Sequence, residues 1–174
     1  MLFRSYCGNL VSSDRGWSRS SPPLQPAIHV CSHCDSPSYF GVGGQVPGVV
    51  PGAEIKHLPS GIEALYREAR KAVSADAATA AVLACRKLLM HVAVEQGAEA
   101  GSSFVAYVDF LADKGFVPPN GRGWVDHIRL KSNEANHEIV LMSSEEATDL
   151  IAFAEMLLKF IYEFPNRVPK AKSP

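Results

Sequence analysis

S-G-I-E-A-L-Y-R-E-A-R-K-A-V, residues 60–73, is where the chain declares its fold. Ile62, Leu65, Tyr66, Ala69 and Val73 recur at three- and four-residue steps, the spacing that gathers side chains on one face of an α-helix. Ser60 offers a hydroxyl to a free N–H of the first turn, and Glu63, three residues on, can reach back, which makes a capping box. The same grammar continues downstream. An alanine-rich helix is expected from Ala77 to Gln96, stopped by Gly97, with Val82, Leu83, Leu88, Leu89 and Val92 as its core side chains. Ser102 or Ser103 caps a third helix through Phe104, Val105, Val108 and Leu111 that ends at Gly115. Ser143 and Glu146 form a second capping box, launching a helix through Ala147, Leu150, Ile151, Ala154, Leu157, Leu158 and Ile161 that Pro165 halts. With the segment from Trp124 to His137 as a further helix, residues 58–165 are expected to form an all-α bundle of four to five helices, followed by a flexible tail at 166–174.

Upstream, residues 1–57 lack helical periodicity and are dense in turn residues: Pro22-Pro23, Gly43-Gly44, Pro47-Gly48 and Pro51-Gly52. Ala27-Ile28-His29-Val30 and Ser38-Tyr39-Phe40 read as strands of a small, irregular ribbon. Cys31 and Cys34 have the C-x-x-C spacing that lets two thiolates face one tetrahedral metal. Cys7 is available as a third ligand, and His29 or His33 as a fourth, giving a structural zinc site. Arg4 stands where the first cysteine of a second such pair would lie. The other reading is a ribbon that holds no metal. A redox C-x-x-C lacks its strand-to-helix context here.

The totals narrow the function classes. One principal domain is expected from 174 residues, with 47% apolar side chains to fill its core. Seventeen basic against eighteen acidic residues, a net charge of −1, give no global field toward nucleic acid or an anionic membrane. Four cysteines are too few for a secreted disulfide framework, and neither a signal-peptide run nor a membrane-length apolar run occurs. The expected setting is cytoplasmic, without a membrane partner.

Leu58-Pro59 with L-Y-R-E-A-R-K-A-V, then A-A-V-L-A-C-R-K-L-L, then I-R-L-K-S-N-E-A-N-H, in that order, resemble the HEPN superfamily. More narrowly they are similar to its bacterial branch known as a domain of unknown function and met in restriction and defence contexts. The resemblance covers residues 58–164 and implies a helical bundle, often a homodimer. That branch often has a cysteine-containing segment ahead of its helices, to which Cys31-Ser32-His33-Cys34 is similar. The superfamily includes metal-independent ribonucleases, whose arginine and histidine carry over to Arg129 and His137, with Ser132-Asn133 matching the polar step between them. Seven residues separate Arg129 from His137, a longer spacing than the nuclease pattern, and Leu89-Met90 stand where an acidic residue is expected.

Metal-free RNA cleavage needs a base for the ribose hydroxyl and a cation at the phosphate, tasks that suit histidine and arginine respectively. On an unbroken helix, Arg129, Asn133 and His137 form a slanting ladder whose ends are about 12 Å apart. One phosphate meets both ends only if the helix breaks near Ser132-Asn133 or a second subunit completes the site. Otherwise Asn133 and His137 bond backbone groups and Arg129 pairs with Asp126 or Glu134. The leading expectation is a non-catalytic, dimeric binding module that contacts RNA through Arg129, Ser132 and Asn133 and works with a restriction or toxin–antitoxin partner. A cofactor-free ribonuclease using His137 as base and Arg129 on the phosphate is the alternative. A zinc-ribbon nucleic-acid adaptor is the third reading.

Overall fold

A computed structural model describes residues 2–3, 6–13, 15–18, 26–118, 121, 123–126, 128 and 141–168. Its first part is β-structure. Strands β1 (Leu2–Phe3) and β2 (Leu10–Val11) form an antiparallel hairpin. Strands β3 (Arg15–Ser18), β4 (Ala27–Val30), β5 (Pro37–Gly41) and β6 (Gly44–Val46) form a four-stranded antiparallel sheet in sequence order. The expectation of an all-α chain is therefore overturned, and the fold is mixed α and β. The strands at 27–30 and 37–41 stand where the apolar pieces put them. β3 and β6 were missed because each is three or four residues long, contains glycine and has little apolar alternation.

The helical part comprises α1 (Ser60–Ser74), α2 (Ala78–Glu95), α3 (Phe104–Asp113) and α4 (Ser144–Leu158). Helix α2 is central, in contact with α1, α3 and α4. Ala81, Cys85, Leu88, Leu89, Val92 and Ala93 are fully buried along it, the alanines letting neighbours approach closely. Leu83, expected in that core, is instead 62% exposed, whereas Phe153 of α4 is fully buried at its centre. Residues 123–126 and 128 are helical, with Val125 buried and Trp124 edge-on to Phe153 at 5.8 Å.

The two expected capping boxes have different outcomes. Ser143 accepts from the Glu146 N–H while Glu146 accepts from the Ser143 N–H, so the second box forms in full. The first does not. Helix α1 starts one residue early, with Pro59 at the cap and its carbonyl accepting from Glu63 N–H at 2.9 Å. Ser60 is thereby already inside the first turn, where its hydroxyl has no cap to make. Nor does Pro165 stop the last helix. The chain passes through a π-helical turn, Lys159–Glu163, into a short helix α5 (Phe164–Arg167). The backbone stays helical across this junction, the Phe164 N–H donating to the Lys159 carbonyl just before Pro165. Residues 169–174 of the expected tail lie outside the described residues.

Between sheet and helices, residues 48–58 run antiparallel along α1 as a strap without strand partners. Its prolines and glycines prevent regular structure, so its backbone groups must find partners elsewhere. Gly48 donates to the Ser74 carbonyl at 2.7 Å. Arg70, only 8% exposed, donates Nε to the Pro51 carbonyl at 2.7 Å and Nη2 to the Gly52 carbonyl at 2.8 Å. Ala53 N–H donates to Glu155, the Ala53 carbonyl accepts from Tyr66 Oη, and Lys56 N–H donates to Glu163 Oε2. Ile55 completes the attachment by entering the helical core. Gly52 has φ +71, and a Cβ there would lie 2.8 Å from Tyr66 Oη and 2.9 Å from Glu155 Oε2, so the close approach requires glycine.

Two outcomes follow from the strap. Arg70→Met removes two charge-assisted hydrogen bonds and strands two carbonyls, which is expected to lower the unfolding free energy in urea by about 3 kcal/mol. The Lys56 N–H, and less strongly the Arg167 guanidinium, hold the Glu163 carboxyl below its ordinary value against the opposing effect of burial. A depressed folded-state pKa means stability that is full above the ordinary glutamate value of about 4.3 and is lost as pH falls through the folded one. Glu163→Gln is therefore expected to destabilise at pH 7 and to differ progressively less from the parent below pH ~4, measured by denaturant unfolding across that range.

Candidate metal centre

The centre is built from two turns. Cys7 sits in the turn of the β1–β2 hairpin and is followed by Gly8 at φ +66. Cys31 to Ser36 close the β4–β5 hairpin, where Cys31 N–H donates to the Ser36 carbonyl and Asp35 N–H to the Cys31 carbonyl, both at 3.0 Å. Asp35 takes φ +56, the left-handed position that short polar side chains tolerate, and its carboxylate is ion-paired with Arg15 of β3. Each turn thus carries a cysteine followed by a left-handed residue.

These turns bring the Sγ atoms of Cys7, Cys31 and Cys34 within 4.8 Å of one another. Cys7 and Cys31, 24 residues apart, have their sulfurs 3.7 Å apart. Cys31 is fully buried, while Cys7 and Cys34 are half-buried. Burial disfavours the Cys31 thiolate, yet the Cys34 and His33 backbone groups and the Cys34 and Cys7 thiols together bring it down to about 7. Burial raises the Cys7 thiol; the Asn9 backbone opposes this, and the Cys34 and Cys31 thiols add to it. Three soft sulfur donors at one point, with one thiol readily ionised, match the ligand set of a thiolate-bound metal.

Neither histidine joins the cysteines in this arrangement. His29 packs its ring edge-on against Phe40 at 5.5 Å, and Phe40 pairs with Ala27, two residues farther from the turn. His33 is exposed, its Nδ1 3.2 Å from Asn9 Nδ2 of the opposite turn. Among the described residues no fourth side chain completes the cluster. Arg4 lies outside them.

Above the cysteines, the sheet presents an apolar row. Trp17 pairs with Ile28, Ile28 with Tyr39 and Tyr39 with Val46, so the four lie side by side across all four strands. They are 63%, 39%, 45% and 60% exposed, respectively.

The other expected site, Arg129, Ser132, Asn133 and His137, lies outside the described residues. Of its stretch, Trp124 helps wall a groove of about 370 Å³ with Met156, Phe160 and Phe164. His91 is an exposed residue paired with Glu95 at 3.2 Å. The basic residues of α1 and α2 do not share one solvated face. Arg67 and Lys71 are exposed, but Arg70 is the buried strap anchor and Arg86 lies over the Phe104 ring at 4.5 Å. The signal for Arg70 was present, since it follows Tyr66 by four residues on the apolar face.

Cys85 is the internal contrast. It is buried in α2, and burial pushes its thiol up to about 12. In metal-free, reduced protein, iodoacetamide at pH 8 is expected to label the half-buried Cys34 first, Cys7 more slowly because its thiol is held protonated, and Cys85 only after denaturation, read by peptide mass mapping.

No helix among the described residues is long and apolar enough to cross a membrane. No curated protein and no solved structure matches the chain. One family model, described as a domain of unknown function (DUF4145), matches residues 67–173. That match takes in α1 from its midpoint onward and all later helices, and starts after Cys7, Cys31 and Cys34. Spanning well over half of the sequence, it shows that the chain belongs to the DUF4145 family.

Proposed function

We propose that the chain is a non-catalytic binding module whose sheet is stapled by zinc and whose helical domain, HEPN-like in its sequence motifs, serves partner and RNA contact. The observation that carries this reading is the convergence of the Cys7, Cys31 and Cys34 sulfurs from two separate turns. The donor set suits zinc, which favours thiolates in tetrahedral geometry, and a ligand from outside the cluster takes the fourth position. Bound there, the ion supplies a cross-link between β1–β2 and β4–β5, segments too short to build a core of their own. A fixed sheet then presents Trp17, Ile28, Tyr39 and Val46 outward, and exposed aromatic and aliphatic groups in one row are the composition of a contact surface. A reducing cytoplasmic setting, a homodimer and a restriction or defence partner belong to the same reading.

Elemental analysis of freshly purified protein tests it: about one zinc per chain is expected, lost in Cys31→Ser. RNA incubated with the protein in EDTA is expected to be bound and left intact. Cleavage that disappears equally in Arg129→Ala and His137→Ala would replace this reading with the metal-independent ribonuclease.

A further inference from the structure

The cysteine centre has two uses for the same sulfurs. We infer that Cys7 and Cys31 are a peroxide-sensitive pair, whose oxidation to a disulfide ejects the metal and exchanges one cross-link between the two hairpins for another. The inference rests on the zinc reading of Cys7, Cys31 and Cys34, and adds to it a defined modification site.

Geometry selects the pair. The two sulfurs are 3.7 Å apart and come from turns 24 residues apart in sequence, so a bond between them joins β1–β2 to β4–β5 as the ion does. Cys7 is half-buried and open to a small oxidant, whereas Cys31 is fully buried and reachable only from its neighbours. That division suits an attacking and a resolving thiol. Among the described residues the cluster is three cysteines rather than the four of a closed all-thiolate shell.

The chemistry balances with one hydroperoxide. The Cys7 sulfur attacks a peroxide oxygen; an S–O bond forms, the O–O bond breaks, and hydroxide leaves to give a sulfenic acid. The Cys31 sulfur then attacks the Cys7 sulfur; an S–S bond forms, the S–O bond breaks, and a second hydroxide leaves. Two electrons have passed from the sulfurs to the peroxide, which ends as two waters after proton uptake. Cys34 remains as a single thiolate, too few ligands to keep the ion, which departs as the divalent cation.

The zinc-loaded full chain is treated with hydrogen peroxide, with zinc release followed by a chromogenic chelator and the sulfurs mapped by mass spectrometry. Trypsin separates Cys7 (residues 5–15) from Cys31 and Cys34 (residues 20–56), so a bond between the two peptides is distinguishable from one within the second. The expected result is a cross-linked pair with fragment ions placing the bond at Cys31, zinc released in step with it, and both reversed by dithiothreitol. Cys34→Ser is expected to form the same bond, and the parent map decides alone if that variant fails to fold. A Cys31–Cys34 or Cys7–Cys34 bond as the main product, or sulfinic acid without any bond, overturns the inference. A chain that carries no zinc yet forms the Cys7–Cys31 bond overturns the metal reading and leaves the pair standing.

Discussion

A guanidinium inside a protein must be answered by acceptors, and Arg70 obtains two of them from backbone that has no other partner. The Pro51 and Gly52 carbonyls lie in a segment whose composition rules out a strand or helix. Arg70 bonds both while stacking over Tyr66, the residue whose hydroxyl holds the next carbonyl, that of Ala53. An apolar side chain of similar volume would fill the space and leave two carbonyls orphaned. The buried charge therefore fixes one path for the strap, and with it the point at which the sheet joins the helices.

The two carboxylates that complete this joint depend on the irregular end of α4. Glu155 and Glu163 accept from strap N–H groups three residues apart. On a regular α-helix eight positions amount to about 800°, which would leave Glu163 roughly 80° around the axis from Glu155. The wider π turn at Lys159–Glu163 advances less per residue and so takes up part of that difference. The same turn runs without a break into the short helix that contains Pro165.

Legibility from sequence divides along physical lines. Helices with three or four turns of periodic apolar residues could be read, and so could Ser143 with Glu146, because the signals are local. Ser60 with Glu63 misled: the residues suit a capping box, but Pro59 with φ already near the helical value starts the helix one position sooner. The strands of β3 and β6 are too short and too exposed for alternation to show, and their pairing, set by contacts across hairpins, turned an expected bundle into a mixed fold. Cys31 and Cys34 were legible as a candidate ligand pair from C-x-x-C spacing with Cys7 as an available third, and their convergence needed the register of two hairpins. His29 as a ligand was a proximity argument along the chain; its ring belongs to Phe40. The arginine–histidine ladder remains a sequence expectation carried by the HEPN resemblance.

The family match sharpens what the strap means. It begins at residue 67, so Arg70, Glu155 and Glu163 fall within the matched domain, while every backbone group they hold in the strap falls before it. In this chain the helical domain therefore carries a buried cation whose two carbonyl acceptors come from outside the match, and two partly or fully buried anions that combine ion pairs within it, Glu155 with Lys159 and Glu163 with Arg167, with strap N–H groups from outside. Helices alone would present that guanidinium and those carboxylates without the strap's carbonyls and N–H groups, beside the gap left by Ile55. The strap is for this reason part of the helical domain's own packing. The strap satisfies the bundle's buried polar groups, and the bundle in turn fixes the end of a sheet whose four strands are otherwise held by their own pairing.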